Sequence, residues 1–414
     1  MQPAWASRNR PALAVIRTLS DNGCMADLAR ILSLWRELEA AGAEYVLATV
    51  VAVQGSTYRK PGALMLLTAE GRRAGTVSGG CLEAQVASRA WWLTANGPTV
   101  QRYSTVEEDG DRPYGSGCGG VVSLLLERRT TAGPLLAALE RAFDLRVPLA
   151  VATVLEGRLL GCRAFAGLGR GQPEGLQSHG DPSCAVEDTL RHIAQRAIAS
   201  GETTESEIVL DETSVKVWAD YRPPRPGLAV FGAGDDAQPL LRLAGELGWF
   251  VSVADGRSQL VSRERFPQAD QLSILPIKDL PGIPFNDSSK AFSALRRQDA
   301  AVVMTHSFEQ DAKILACLLA LETPPAYIGV LGPQRRTGEL LCEAARLLNF
   351  PAGAIAAQAE RWLAQLHAPT GLDLGAESPE TIALSVVAEI QKFRTSATAL
   401  PLKKVRAAAV AIAG

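Results

Sequence analysis

A glycine turn between a short apolar strand and an amphipathic helix most limits what this chain can fold into. Residues 228–231 read Leu-Ala-Val-Phe and enter the turn Gly232-Ala233-Gly234, and a helix with four leucines between 240 and 247 leaves it. A second strand over 250–254 ends at Asp255. A G-x-G-x-x-A turn in this setting, with an acid roughly twenty residues further on, is typical of a dinucleotide-binding fold. This half of the chain is therefore predicted to be Rossmann-like.

The segments that follow continue the alternation of strand and helix. Predicted strands cover 301–304 and 327–331, and predicted helices cover 310–321, 337–348 and 382–392. Such alternation indicates a doubly wound parallel sheet. Because ligands of open α/β sheets bind beyond the carboxyl ends of the strands, Asp255, His306 and Gly332 are expected along one edge. Arg335 and Arg336 follow soon after and are placed to meet an anion there.

Two acids make the ligand of this fold less certain than the fold itself. Asp235 and Asp236 stand where a pyrophosphate would lie, and their charges would repel it. The alternatives are therefore binding of a nicotinamide (NAD or NADP) or flavin dinucleotide and a Rossmann-like unit that holds no nucleotide.

The stretch Ser78-Gly79-Gly80-Cys81-Leu82-Glu83 organises the first half of the chain. A strand over 75–78 is predicted to arrive at it, and apolar residues at helical spacing leave it. Cys81 is thus expected at a helix N-terminus, where the macrodipole favours a thiolate.

A second cysteine, Cys118, has a similar setting between Gly117 and Gly119 and precedes a predicted strand over 121–126. Two cysteines flanked by glycines suggest one ligand pocket that requires soft sulfur. The alternative is that both are small buried residues in tight turns, as free cysteines commonly are.

A polar loop separates the first two predicted strands, 45–53 and 63–67. It contains Ser56 and Arg59, and its hydroxyls and cations would suit a phosphate or another anion. The alternative is a solvated surface loop. Asp27 is expected to cap the helix that precedes these strands.

Composition excludes several classes of protein. The chain has 414 residues, enough for two or three domains, and its 42 Lys and Arg balance 44 Asp and Glu. This balance gives no electrostatic argument for nucleic acid or a membrane surface. Seven cysteines without a C-x-x-C pair argue against a disulfide framework and a structural zinc site. No transmembrane run or signal peptide is evident, so a cytoplasmic protein is expected.

The segment 222–227, Arg-Pro-Pro-Arg-Pro-Gly, has the composition of a linker. It predicts an N-terminal α/β domain over 1–222, with 1–25 as a loose arm. A Rossmann-like domain with a C-terminal helix then covers 223–394, and 395–414 is expected to be a flexible tail.

Together these motifs resemble the XdhC/CoxI family, the accessory factors of xanthine dehydrogenase and related molybdenum hydroxylases. The resemblance covers roughly 27–127 and 227–392. The matching stretches are Gly55-Ser56 with Pro61-Gly62-Ala63, 75–83, Gly117-Cys118-Gly119-Gly120, Gly232-Ala233-Gly234, 253–257, Thr305-His306, Tyr327-Ile328-Gly329 with Leu331-Gly332, and 371–377.

The resemblance implies a chaperone that binds the molybdenum cofactor (molybdopterin) and assists its sulfuration or its insertion into an apo-hydroxylase of the xanthine, aldehyde or CO dehydrogenase type. It also implies a cysteine desulfurase as partner and is compatible with a homodimer. Cys81 and Cys118 become the first candidates for cofactor binding and for ligating its molybdenum. The other implied cofactor-binding residues are Ser56, Arg59, Gly79, Gly80, Glu83, Gly117, Gly232, Gly234, Asp255, His306 and Asp373.

One position departs from the family pattern, since many members carry histidine after Gly-Ala-Gly and Asp235 stands there in this chain. The main alternative function is an NAD(P)-dependent oxidoreductase that uses Cys81 as nucleophile. Against it, the first half offers no evident acid or base to serve Cys81. A protein scaffold with a vestigial Rossmann-like half is the third hypothesis.

Overall fold

A computed structural model describes residues 25–80, 82–104, 120–168, 184–210, 213–280 and 290–405. They divide into two compact units, an N-terminal unit that ends at Arg225 and a C-terminal unit that begins at Pro226. The domain bounds deduced from the sequence stay predictions. Of the predicted arm, only Met25 belongs to the described residues, and 406–414 of the predicted tail lie outside them.

The N-terminal unit begins with a five-stranded antiparallel sheet in the order β3-β2-β1-β5-β4. Its elements are α1 (Met25–Ala40), β1 (Tyr45–Gln54), β2 (Leu64–Thr68), β3 (Arg73–Gly75), α2 (Glu83–Leu93), β4 (Thr99–Ser104) and β5 (Val121–Arg128). Along β1, Tyr45 and Leu47 face one core, and Val46 and Ala48 face another. Burial on both faces explains why β1 is a continuous apolar run rather than an alternating one.

The second sheet of this unit is antiparallel and has the order β7-β6-β9-β8. Its elements are α3 (Arg129–Leu145), β6 (Leu149–Val154), β7 (Arg163–Ala166), α4 (Cys184–Ser200), β8 (Thr204–Leu210) and β9 (Thr213–Arg222). Leu149 and Val151 of β6 belong to the same core as Tyr45 and Leu47 of β1. The two sheets of the N-terminal unit therefore share one apolar layer.

A fully buried ion pair also joins these sheets. Arg163 of β7 donates from Nη2 to both carboxylate oxygens of Glu127 on β5, at 2.6 and 2.7 Å, and from Nη1 to the carbonyl of Thr131 at 2.9 Å. The side chains of Arg163 and Glu127 are 1% and 0% exposed. Neither charge has access to water, so each depends on the other for compensation.

The C-terminal unit is a doubly wound parallel sheet, as the sequence predicts. The strand order is β12-β11-β10-β13-β14, and every pairing is parallel. Its elements are β10 (Gly227–Phe231), α5 (Ala237–Glu246), β11 (Phe250–Asp255), β12 (Gln271–Ile274), α6 (Lys290–Ser293), β13 (Ala300–Val303), α7 (Phe308–Ala320), β14 (Tyr327–Val330), α8 (Gln334–Leu347), α9 (Ile355–Leu363) and α10 (Pro379–Thr395).

Alternate residues of β10 show how this sheet is covered. Ala229 and Phe231 belong to a core with residues of α7 and α8, and Leu228 and Val230 belong to a core with residues of α5 and α10. With helices on both faces, the strand ends at one edge are left for a site. The described part of the chain contains no helix that is long and apolar enough to cross a membrane.

Several elements differ from the sequence expectation; besides the three described next, strand β12 and helices α6 and α9 were not predicted. The strand predicted over 75–78 ends at Gly75, because the next backbone groups turn toward a side chain of α2. Strand β8 was missed, since its sequence Thr-Glu-Ser-Glu-Ile-Val-Leu is polar for a strand and lies at a sheet edge. Asp27 does not cap α1, because the helix already includes Met25 and Ala26.

We predict that Arg163→Met lowers the free energy of unfolding of the N-terminal unit by about 3–5 kcal/mol, because it leaves the Glu127 carboxylate buried and uncompensated. Urea unfolding measures the change. The control is Arg36→Met. The Arg36 side chain is 51% exposed and pairs with Glu140, so this substitution should lower the free energy of unfolding by about 1 kcal/mol or less. The double variant Arg163→Met with Glu127→Leu should recover most of the loss. An unchanged free energy for Arg163→Met alone would contradict the prediction.

Candidate functional site

Cys81, Gly117 and Cys118 lie outside the described residues, so their predicted roles rest on the sequence. The described residues nearest to them are Gly80 and Leu82 on the two sides of Cys81, and Gly120 after Cys118. The geometry of the site therefore comes from these flanking segments.

Glu83, the first residue of α2, holds the turn that precedes it. The side chain is 2% exposed. Its Oε1 accepts hydrogen bonds from the hydroxyl of Thr76 at 2.5 Å and from the backbone N–H groups of Val77 and Ser78 at 3.2 and 2.8 Å. Oε2 accepts from the Ser78 hydroxyl at 2.5 Å. Both carboxylate oxygens are thus committed to the protein.

Ser78, which is bound to Glu83, in turn binds the backbone on both sides of position 81. Its hydroxyl oxygen accepts from the N–H groups of Gly80 and Leu82, each at 3.1 Å. Burial alone would raise the pKa of Glu83, but the hydrogen bonds from Ser78 and Thr76 outweigh it and lower the pKa. The group is therefore a carboxylate at neutral pH. Its charge lies at the N-terminus of α2, so that helix end has less capacity to stabilise a thiolate than the sequence suggests.

The loop 54–62 contacts both glycine turns. A Cβ built on Gly79 would lie 3.4 Å from the Tyr58 ring. A Cβ on Gly120 would lie 2.5 Å from the carbonyl oxygen of Ser56 and 2.8 Å from Cγ2 of Thr57, closer than real atoms approach. Glycine at 120 is therefore required by this close approach, and the loop brings Ser56 next to Gly120 and Tyr58 next to Gly79.

Arg59 has a partner within the protein. Its Nη2 donates to the Asp27 carboxylate at 2.5 Å, and its guanidinium lies 5.7 Å from the centre of the Tyr58 ring. The positive charge of the loop is thus partly balanced before any ligand arrives. An anion would have to share Arg59 with Asp27.

In the C-terminal unit, Asp255 ties the end of β11 to the glycine turn. The residue is 0% exposed. Oδ2 accepts from the N–H of Ala233 at 2.8 Å, and Oδ1 accepts from the N–H of Arg257 at 2.8 Å. The Arg257 guanidinium adds one bond to each oxygen, at 3.0 and 2.8 Å. Burial raises the pKa of Asp255, but the bonds from Arg257 and Ala233 lower it by more.

His306 follows β13 at the same edge. Its Nε2 lies 2.8 Å from Oδ2 of Asp236, beside Gly234. The backbone of His306 is left-handed, with φ of 62°, and its side chain is 62% exposed. A left-handed histidine is uncommon and costs conformational energy, which makes this position a functional candidate. The edge thus brings Gly234, Asp255 and His306 together.

The two acids after the glycine turn also have partners. Asp235 is 88% exposed and pairs with Arg265 at 2.9 Å, and Asp236 contacts His306. Gly232 has φ of 134°, and a Cβ there would lie 2.4 Å from the carbonyl oxygen of Met304. This turn is therefore fixed by contacts with the strand ends around it.

Asp311 was missed by the sequence analysis. It is 1% exposed and accepts from the N–H and hydroxyl of Thr305, at 3.1 and 2.6 Å, and from Arg336 at 2.7 Å. Arg336, expected to meet an anion, thus meets a carboxylate of its own chain. Arg335 is 92% exposed and pairs with Glu339. The feature of the sequence that could have indicated a role for Asp311 is its position as an acid in the first turn of α7.

Glu389 of α10 was missed as well. It accepts from the Tyr327 hydroxyl at 2.6 Å and from the N–H of Gly371 at 2.7 Å, and it lies 3.2 Å from Nδ1 of His367. This network holds the start of the segment that carries Asp373. Asp373 itself is exposed, and the described contacts do not join it to His306 or Asp255.

No group of three or more His, Cys, Asp or Glu side chains in the described part of the chain is arranged to hold a metal. Burial raises the pKa of Cys317 to about 12, so that thiol stays protonated at neutral pH. The cysteines proposed as metal ligands remain Cys81 and Cys118.

Comparison with known proteins agrees with both halves of the fold. The XdhC and CoxI family matches residues 38–104, and the XdhC Rossmann domain matches residues 228–390. A probable xanthine dehydrogenase subunit of Bacillus subtilis is 32% identical over 360 residues, which cover 85% of this chain and 93% of that protein.

Two further relatives extend over most of the chain. The molybdenum cofactor insertion chaperone PaoD of Escherichia coli is 26% identical over 377 residues, 89% of each protein. The crystal structure of a xanthine dehydrogenase from Bacillus halodurans superposes with a TM-score of 0.62 and 25% identity, over 89% of this chain and 96% of that one. The fold and the two family matches define a class of protein in which an antiparallel α/β unit is followed by a Rossmann unit. The chain belongs to the XdhC and CoxI family.

We predict that Glu83→Gln speeds hydrogen exchange at the amides of Val77 and Ser78 and lowers the free energy of unfolding by about 1–3 kcal/mol. The amide nitrogen cannot accept the bond from the Ser78 hydroxyl. Exchange followed by mass spectrometry and urea unfolding measure the two effects. The control is Glu37→Gln, whose side chain is 57% exposed and pairs with Arg72. Equal effects of the two substitutions would contradict the prediction.

A second prediction concerns pH. The bonds to Glu389 outweigh its burial and lower its pKa from 4.5 to about 2. A depressed pKa stabilises the fold above about pH 4.5, and the stabilisation is lost as the pH falls toward 2. Its full size is about 3 kcal/mol. Glu389→Gln should flatten the fall in unfolding free energy between pH 5 and pH 2.5. The control Glu360→Gln, at an exposed position, should leave this fall unchanged. Equal pH dependence of the unfolding free energy in wild type, Glu389→Gln and Glu360→Gln would contradict the role of Glu389.

Proposed function

We propose that this protein binds the molybdenum cofactor and assists its insertion into a molybdenum hydroxylase of the xanthine dehydrogenase type. The observation that carries the proposal is the packing of Gly79 and Gly120 against the same loop, 54–62. It brings the segments that flank Cys81 and Cys118 to one place. The similarity to the chaperone PaoD, over 89% of both chains, supports the same role.

The chemistry of the cofactor fits these turns. A dithiolene-bound molybdenum is a soft centre, for which cysteine sulfur is a suitable ligand. Cys81 and Cys118 are proposed as ligands of the molybdenum, and the backbone at Gly79, Gly80 and Gly117 as the surface that approaches the cofactor. Ser56 and Arg59 are proposed to bind its phosphate, with Arg59 shared between that phosphate and Asp27.

Glu83 and Asp255 are proposed to act through the backbone that they hold. Each has both carboxylate oxygens engaged by protein donors. A direct bond to a ligand would have to replace one of these bonds. In the C-terminal unit, Gly232, Gly234 and His306 remain the candidates for contact with cargo, and Asp373 is an exposed candidate beyond the Gly371 anchor.

The partners follow from this role. The proposal includes an apo-hydroxylase as recipient and a cysteine desulfurase as the source of sulfur for sulfuration. It also includes a cytoplasmic location and a homodimer. The alternative, an oxidoreductase that binds NAD or NADP, needs Asp255 for the ribose hydroxyls. The engagement of Asp255 by Ala233 and Arg257 counts against it.

The test is retention of the cofactor. Wild-type protein is mixed under anaerobic conditions with molybdenum cofactor released from a molybdenum hydroxylase and is passed through a size-exclusion column. We expect roughly stoichiometric retention by wild type and loss in the double variant Cys81→Ala with Cys118→Ala. The control is Cys342→Ala, a half-buried cysteine of the C-terminal unit, which should retain the cofactor.

Each other result has a defined meaning. Retention by the double variant would contradict the cysteine assignment and point to the edge at His306, where His306→Ala would then be tested. Absence of retention by wild type would contradict the proposed function. NAD and NADP would then be titrated against the same protein.

A further inference from the structure

We infer that Tyr58 is the platform on which the flat ring system of the cargo, a pterin, stacks. The inference rests on the proposed function and adds to it a residue that binds the organic part of the cargo rather than its metal or phosphate. It is carried by the exposure of this ring, its contact with Gly79 and the anchoring of the backbone around it.

Tyr58 is an aromatic residue left largely in water. It is 71% exposed, although aromatic side chains contribute most when they are buried. A Cβ built on Gly79 would lie 3.4, 3.6 and 3.7 Å from Cγ, Cδ2 and Cδ1 of the ring. Near-equal distances to these three atoms mean that Gly79 lies against a ring face near Cγ. The ring is otherwise largely exposed, with the Arg59 guanidinium over it at 5.7 Å from its centre.

The backbone on both sides of Tyr58 is held. The Thr57 hydroxyl donates to the carbonyl of Arg59 at 3.0 Å, and Thr57 packs closely over Gly120. Arg59 is held by Asp27 at 2.5 Å. A ring on such a fixed loop loses little conformational freedom when a ligand binds, because the loop is ordered beforehand.

The surroundings of Tyr58 suit a pterin with an anionic tail. Stacking of a flat heterocycle on an aromatic side chain contributes about 1–3 kcal/mol per ring. The Arg59 guanidinium, 5.7 Å from the ring centre, places positive charge beside the same surface. Gly79 also lies two residues before Cys81 in the chain, the residue proposed above as a ligand of the molybdenum.

Exposure alone does not make a binding residue, and Trp92 shows the difference. It is 77% exposed, on α2, whose buried residues are Glu83, Val86 and Ala90. Trp92 thus faces away from the core on a regular helix, without a glycine turn against its ring. It serves as a matched control of similar exposure and greater aromatic area.

The test is the affinity for molybdenum cofactor released from a molybdenum hydroxylase, titrated anaerobically into the full-length protein and followed by the pterin fluorescence. We expect Tyr58→Ala to weaken binding by about 5- to 150-fold, the equivalent of one stacked ring. Tyr58→Phe keeps the ring and should bind within about 2-fold of wild type, as should Trp92→Ala. Thermal midpoints of all variants show whether the fold is intact.

The outcomes separate this inference from the proposed function. If wild type binds and Tyr58→Ala binds equally well, the stacking role is overturned and the cofactor chaperone stands. If Trp92→Ala weakens binding as much as Tyr58→Ala, the role is also overturned. Unchanged cofactor affinity in Tyr58→Ala with impaired transfer to the hydroxylase would assign Tyr58 to the partner protein instead. If wild type does not bind, both proposals fail.

Discussion

Buried or half-buried carboxylates that accept backbone N–H groups hold several of the loops around the candidate sites. Glu83 accepts from the turn before α2, Asp255 from the glycine turn after β10, Asp311 from the end of β13, and Glu389 from Gly371. A buried N–H group without a partner is costly, and a charged acceptor makes a stronger bond than a neutral one. In each loop, one carboxylate from a neighbouring element accepts a backbone N–H group of the loop. The loops that would meet a ligand are consequently ordered by the protein itself.

The sequence allowed the fold to be predicted because its signals are local. The glycine turn at 232–234 and the strand–helix alternation after it identify the parallel sheet, which the structure confirms. The roles of the acids could not be predicted in the same way. An acid at a strand end suggests a contact with a ribose. Asp255 instead accepts a hydrogen bond from the N–H of Ala233, which lies 22 positions earlier in the sequence. Strand β8 was missed because its polar residues suit a sheet edge rather than a core.

The candidate site was predictable in composition but not in arrangement. The two glycine–cysteine turns are visible in the sequence, and their joint approach to the loop 54–62 is not. That approach depends on Gly79 and Gly120, which are 41 positions apart and both pack against the loop that follows β1. In the same loop, Tyr58 lies against Gly79 and is largely exposed. Sequence patterns indicated which residue types the site contains, whereas strand pairing decides which of them share a surface.

Strand β8 has a consequence for how copies of the chain can associate. Among the described strands it pairs only with β9, so within the described part of the chain one side of its backbone is a sheet edge. Glu205 and Glu207 are exposed along it. Antiparallel addition of a second copy at this edge would bring acids of like charge close to each other, which disfavours a continuous intermolecular sheet. The acids that kept β8 from being predicted thus disfavour pairing of two copies at this edge.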